Sequence, residues 1–207
     1  MQTYRALLIG NGEEVCARLL KALARQADVV LAVDGGADKA LRAGVQPHYV
    51  IGDLDSLSPR TKKALAQKLV HVPTQENTDL EKALLWALAH HVTHATLVGF
   101  VGDRWDFSLG NLLTLSAYAR KLTLCAAGER WRMYALVKSA QIPCEKNKRF
   151  SLISLKLCTG VTLSGCKYAL KNARILPGTT RTLSNQTTAK RVGVKFTRGM
   201  LLVYVEN

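Results

Sequence analysis

Two aspartates stand two residues apart in "YVIGDLDSLSP", residues 49–59, where the apolar run Tyr49-Val50-Ile51 ends in Gly52. Like charges at that spacing either cap the next helix or hold something strongly positive. Other acids occupy equivalent places. Asp34 follows "VVLAV", Asp79 opens the helical stretch after "LVHVP", and Asp106 comes shortly after "ATLVGFVG". In an open parallel sheet, ligands bind outside the carboxyl ends of the strands. Asp34, Asp53, Asp55, Asp79 and Asp106 would then converge on one edge. Crowded carboxylates repel, and some are forced to keep a proton. A hard divalent cation with oxygen ligands resolves that conflict, and Mg²⁺ ordinarily brings phosphates with it. Each acid alone also reads as a turn or a cap: Asp34 before Gly35-Gly36, Asp55-Ser56 or Ser58 before Pro59, Thr78-Asp79 at a helix start. Their convergence is what favours a metal–phosphate site.

Other phosphate and metal signatures are missing or weak. There is no G-x-x-x-x-G-K-[ST]. "GNGEEV" carries two of three dinucleotide-binding glycines, with Val15 in the third place, and Glu13-Glu14 at a helix N-terminus argues against pyrophosphate there. His90, His91 and His94 fall at an expected helix end, where histidine suits the dipole better than it suggests zinc.

The elements that must position the acids alternate. Strands are expected at "RALLIG", "DVVLAVDGG", "YVIGD", "LVHVP", "ATLVGFVG" and "LTLCAA". Helices are expected at "EEVCARLLKALARQA", "ADKALRAG", "PRTKKALAQK", "NTDLEKALLWALAHH" and "FSLGNLLTLSAYARK". This grammar predicts a Rossmann-like α/β domain with a mostly parallel sheet over residues 1–127. Near Gly128 it gives way to short runs rich in Val, Leu, Ile and Thr, which predict a small all-β sandwich over 128–207. The charge changes at the same place. Residues 1–127 hold 14 bases against 12 acids, and 128–207 hold 15 against 3, within a net charge of +14. No aromatic–basic stripe accompanies that surplus, so a solvated basic surface is expected and nucleic acid is not expected as a partner. Hydrophobic residues make up 48% of the 207 and charged ones 21%, with no run of about 20 apolar residues that a membrane span needs. Five cysteines, odd in number and without a C-x-x-C pair, suit free thiols in a reducing cytoplasm.

Taken in order, these pieces resemble the thiamine pyrophosphokinase family over nearly the whole chain. The family's Asp-Gly-Gly appears as "VDGGADKAL", its Gly-Asp-x-Asp-Ser as Gly52 to Ser56, and its Thr-Asp as Thr78-Asp79. Its Gly-x-x-Gly-Gly-Arg-x-Asp-His appears in part as "GFVGDRWDF", with Asn111 downstream. "GVTLSGCKYAL", "SNQ" and "GMLLVYVE" resemble its C-terminal motifs. The resemblance implies transfer of pyrophosphate from ATP to the thiamine hydroxyl, giving thiamine diphosphate and AMP, in a homodimer with sites between subunits. It also implies roles. Asp34, Asp53, Asp55 and Asp79 would hold Mg²⁺ and position the triphosphate. ATP would meet Asp34, Gly35, Gly36, Thr78, Arg104 and Asn111. Asp53, Asp55, Asp79, Arg104 and Asp106 would serve catalysis, and Gln75, Ser184 and Asn185 would face thiamine. The sequence departs from the pattern at Asp103, Phe107, Glu76 and Gln186. The first two motivate an alternative, a catalytically impaired homologue that binds thiamine or its diphosphate.

Overall fold

In the computed structural model, residues 3–102 and 104–207 are described, and they divide between two compact units, Met1–Glu129 and Arg130–Asn207. The first unit follows the alternating pattern: β1 (Tyr4–Ile9), α1 (Ala17–Ala24), β2 (Val29–Val33), α2 (Gly36–Arg42), β3 (Tyr49–Gly52), α3 (Pro59–Ala64), β4 (Leu69–His71), α4 (Asp79–Ala89), β5 (Val92–Val98), α5 (Trp105–Tyr118) and β6 (Thr123–Gly128). Its strands lie side by side as β4-β3-β2-β1-β5-β6, and every pairing is parallel. Continuous apolar runs make this possible: Leu31, Ala32, Val50 and Ile51 are wholly buried, as strands covered on both faces must be.

Two expected helices are shorter than their sequence patterns. The α1 pattern begins at Glu13, but the helix begins at Ala17. The backbone before it is committed elsewhere: Gly12 N–H donates to Gly99 O, Glu13 N–H to Val101 O at 3.1 Å, and Cys16 N–H to a Glu129 carboxylate oxygen at 2.9 Å. Val15 still packs against the core that Leu20 and Leu23 enter. The α3 pattern breaks at Leu65 into a 3₁₀ turn, Ala66–Lys68. His94 is not at a helix end but in β5. His90 caps α4 and stacks on Trp86 at 3.7 Å.

The second unit is antiparallel throughout, with β7 (Trp131–Leu136), β8 (Ala140–Pro143), β9 (Arg149–Ser154), β10 (Cys158–Ser164), β11 (Leu170–Ile175), β12 (Asn185–Gln186), β13 (Arg191–Lys195) and β14 (Leu201–Glu206). One set runs β12-β9-β14-β7 and a separate sheet runs β11-β10-β13-β8. Alternate residues of both face one core, in which Phe150, Leu152, Leu201 and Val203 meet Val161, Ile175, Val192 and Val194. The fold is therefore mixed α/β with a separate antiparallel sheet. The five cysteines are free thiols. Among the described residues no helix is long and apolar enough to cross a membrane.

Candidate active site

The strand order of the first unit reverses between β1 and β5, whose next strands, β2 and β6, lie in opposite directions along the sheet. Such a switch point opens a crevice at the carboxyl ends. Here Gly10–Gly12 after β1 and Gly99–Gly102 after β5 line a cleft of about 410 Å³, together with Asp34, Ser56, Thr78, Asp79, Arg104, Phe107 and Asn111. The two loops touch through backbone. Gly99 has φ +71°, and a Cβ there would lie 2.6 Å from Gly10 O. That conformation and that approach both require glycine. Gly36 has a similar reason: a Cβ would lie 2.1 Å from Ile9 O, so α2 starts directly against β1.

The acids meet at this edge. Asp34, Asp53 and Asp55 each bring a carboxylate oxygen within 4.8 Å of the others. Asp79 stands beside them, its Oδ1 and the Cβ of Asp34 both flanking Gly52. Left-handed backbone builds the turn, with φ +46° at Asp34 and +65° at Leu54. Leu54 is the costly one, since a bulky residue rarely holds that conformation. It lets Asp55 N–H donate back to Asp53 Oδ1 at 3.2 Å. That bond, with a weaker one from Gln75, holds the Asp53 carboxyl below its ordinary range. Asp34 is pushed the other way, by burial and then by the neighbouring Asp79 charge, against a hydrogen bond from Ser56. It is 7% exposed, and its Oδ1 has no hydrogen-bond partner among the described residues. A buried, unsatisfied carboxylate oxygen is expensive. Beside two further carboxylates, with only oxygen donors on offer, it fits a hard divalent cation.

The other expected site residues divide. Thr78 lines the cleft and also caps α4, accepting from Glu81 N–H at 3.3 Å. Asn111 lines it too, but its Nδ2 donates to Phe100 O at 2.6 Å. Gln75 reaches Asp53 at 3.3 Å. Arg104 reaches the cleft, whereas Asp106 is not among its lining residues or the gathered carboxylates. Arg104 binds Asp106 through Nε at 3.1 Å and again through Nη2. That pairing lowers the Asp106 carboxyl and raises the arginine. Ser184 and Asn185 belong to the second unit, in a cleft of about 320 Å³ with Arg149, Lys167 and Tyr168. Asn185 is committed there: its Oδ1 accepts from Tyr168 N–H at 3.0 Å and its Nδ2 donates to Tyr168 O at 2.8 Å.

Sequence reasoning passed over two features. Lys82 is buried, with its Nζ 2.8 Å from Asp79 Oδ1. The signal was available as a lysine one turn after Asp79, flanked by Leu80, Ala83 and Leu84. The other is "GNG", set aside as an incomplete fingerprint. It forms one wall of the cleft, but as a glycine loop packed on its neighbour and not as a strand–turn–helix.

Comparison with known proteins matches these two units to two domain families. Residues 20–126 match the thiamin pyrophosphokinase catalytic domain, and 139–201 match the thiamin pyrophosphokinase vitamin B1 binding domain. A thiamine pyrophosphokinase of Bacillus subtilis is 31% identical over 182 residues, 84% of this chain and 85% of that one. The chain belongs to the thiamine pyrophosphokinase family.

Solved structures of thiamine pyrophosphokinases agree. One from Bacillus subtilis superposes with a TM-score of 0.87 at 26% identity, covering 98% of this chain and 99% of that one. One from Candida albicans has the same TM-score at 16% identity, covering 99% and 89%, which speaks to the fold alone. Against the thiamine pyrophosphokinase pattern, Phe107 stands where histidine is usual. Its ring lies under the Arg104 guanidinium at 4.3 Å, so the departure trades a hydrogen-bonding ring for a cation–π contact. Glu76 is exposed, and Gln186 is exposed in β12, with its N–H bonded to Asn185 Oδ1. Asp103 lies outside the described residues.

Proposed function

We propose that the chain transfers pyrophosphate from ATP to the hydroxyl of thiamine, releasing AMP and thiamine diphosphate, at the cleft of a Rossmann-like first unit. The observation that carries this reading is the group of Asp34, Asp53 and Asp55, in which the buried Asp34 Oδ1 has no partner among the described residues. Asp34, Asp53, Asp55 and Asp79 would hold Mg²⁺, which when bound supplies charge neutralisation for the triphosphate. The residues do the rest by placement. Gly10–Gly12 and Gly99–Gly102 offer a backbone-lined wall that admits phosphates closely, and Thr78 lines the same cleft. Gly35 and Gly36, at the start of α2, are not among its lining residues and would meet ATP only from its edge. Arg104 would exchange Asp106 for a phosphate oxygen. Asn111 would steady the nucleotide through the Phe100 loop it ties down. Gln75, Ser184 and Asn185 would serve thiamine, Asn185 through the Tyr168 segment it fixes. The thiamine hydroxyl oxygen would bond to the β-phosphorus as the bond from that phosphorus to the α–β bridging oxygen breaks; AMP leaves with the bridging oxygen, and the hydroxyl proton passes to solvent. No protein nucleophile is needed.

The same reading takes the units as catalytic (1–127) and thiamine-binding (128–207), the location as cytoplasmic and the assembly as a homodimer with sites between subunits. An exposed apolar stripe on α5 supports a second copy: Trp105, Leu109 and Leu113 recur every four residues, and Trp105 is 84% exposed. The test is direct. Purified protein given Mg²⁺, ATP and thiamine is expected to release AMP and thiamine diphosphate in equal amounts. Absence of AMP with every divalent cation tried would refute the activity.

A further inference from the structure

Lys82 is the most buried cation near the acids. Its side chain is 3% exposed, against 34% for Asp79 one turn earlier. Lysine stems ordinarily lie along the surface and carry the ammonium out to water. Here the ammonium is buried on a side of α4 other than the one that buries Leu80, Leu84 and Ala87. Its hydrogen-bond partner among the described residues is Asp79 Oδ1 at 2.8 Å, and that oxygen flanks Gly52 beside Asp34. Removing an ammonium from water costs several kcal/mol and is tolerated only against a matching charge. One carboxylate, itself one-third exposed, is a thin return for that burial. Asp79 connects the ammonium to more negative charge, since its Oδ1 flanks Gly52 with Asp34, whose carboxylate is grouped with those of Asp53 and Asp55.

We propose that Lys82 is a positioning residue with two linked tasks. It pins the Asp79 carboxylate toward the Asp34–Asp53–Asp55 group, and it is the standing counter-charge of that group. This rests on the reading of the acids as a divalent-cation site. The consequence is a site tuned below its greatest possible affinity. A fixed ammonium bonded to Asp79 at the edge of this group weakens the hold on the cation, which favours release after each turnover.

The test uses the full chain as wild type, Lys82→Met, Lys82→Arg and Asp79→Asn/Lys82→Met. Mg²⁺ alone is titrated calorimetrically, and thermal unfolding is followed in EDTA and in excess Mg²⁺. Lys82→Met is expected to bind Mg²⁺ about tenfold tighter than wild type, because the loss of a repelling charge outweighs the loosening of Asp79. It is expected to melt lower in EDTA and to gain more from Mg²⁺. Lys82→Arg keeps wild-type affinity within about twofold. The double variant, with neither partner left uncompensated, recovers wild-type melting in EDTA. A purely packing role moves stability but not the direction of the affinity change. Equal or weaker Mg²⁺ binding by Lys82→Met, or Lys82→Arg behaving like Lys82→Met, overturns the proposal while leaving the metal site standing. If Lys82→Met does not fold, a folded double variant supports the proposal and an unfolded one overturns it. A wild-type protein that neither binds Mg²⁺ nor needs it for AMP release removes the metal reading, and this proposal with it.

Discussion

Asp53 and Asp55 sit in a turn that an asparagine would preserve. Asp53 Oδ1 accepts from Asp55 N–H, and an amide oxygen accepts equally well. Asp53→Asn therefore keeps the turn and removes the charge. Turnover is expected to fall at least about 100-fold, the cost of losing one charge-stabilising group at a reacting centre. Thermal stability is expected to shift by less than about 1 kcal/mol, since no cap is lost. Steady-state AMP release and a melting curve check the pair of outcomes, and full activity in Asp53→Asn and Asp55→Asn alike sinks the metal assignment. At this scale the spacing of acids against strand ends was legible, because an apolar run followed by Asp marks the carboxyl edge. Two things were not. Arg104 holds Asp106 locally, which no pattern of strands and helices announces. Lys82 offered a sequence signal in its place one turn after Asp79, but only packing reveals that its ammonium is covered.

Elements are joined near the site by a carboxylate outside it. Asp38 in α2 accepts from Ser58 N–H at 3.1 Å and from Thr61 Oγ1 at 2.6 Å, and it is also bonded to Ser58 Oγ. It thereby fixes the start of α3 against α2, and Ser58 in turn caps α3 by accepting from Thr61 N–H. Burial pushes the Asp38 carboxyl up, but these hydrogen bonds together outweigh it and hold the group below the ordinary 3.8. A lowered folded value means that the stabilisation is fully present above the unfolded value. It is lost as pH falls through the folded one. Asp38→Ala is expected to cost about 1–2 kcal/mol at pH 7. The gap to wild type should close below about pH 4, as followed by urea unfolding across pH. A gap that stays constant as pH falls through the acid range would show that Asp38 acts through packing alone. Element boundaries were legible where local pattern and tertiary bonding agree, as at Thr78 and Ser58. They failed at residues 13–16, whose backbone bonds leave the chain segment, and at β8, whose "AQIP" lacks a strand's apolar alternation.

For the molecule as a whole, both units bury their own cores, so neither core requires a second copy. What asks for one is the α5 stripe. Trp105, Leu109 and Leu113 are 84%, 60% and 48% exposed on a helix whose buried residues are Ser108 and Leu115. Arg104 and Phe107 of the cleft lie at the start of that helix, so a partner covering the stripe would also border the cleft. The net charge of +14 opposes self-association at long range, and salt screens it over about 10 Å at 0.1 M. The dimer should therefore tighten, not loosen, as salt rises from 10 to about 150 mM. Sedimentation is expected to give a dimer at micromolar concentration. Leu109→Glu with Leu113→Glu is expected to give a monomer whose melting changes little, because exposed substitutions move stability by about 0.5 kcal/mol or less. If sites lie between subunits, that monomer loses turnover by at least about 100-fold, and wild-type specific activity falls on dilution through the dissociation constant. A monomeric variant with full activity would separate catalysis from assembly. A variant that stays dimeric would move the interface to another face.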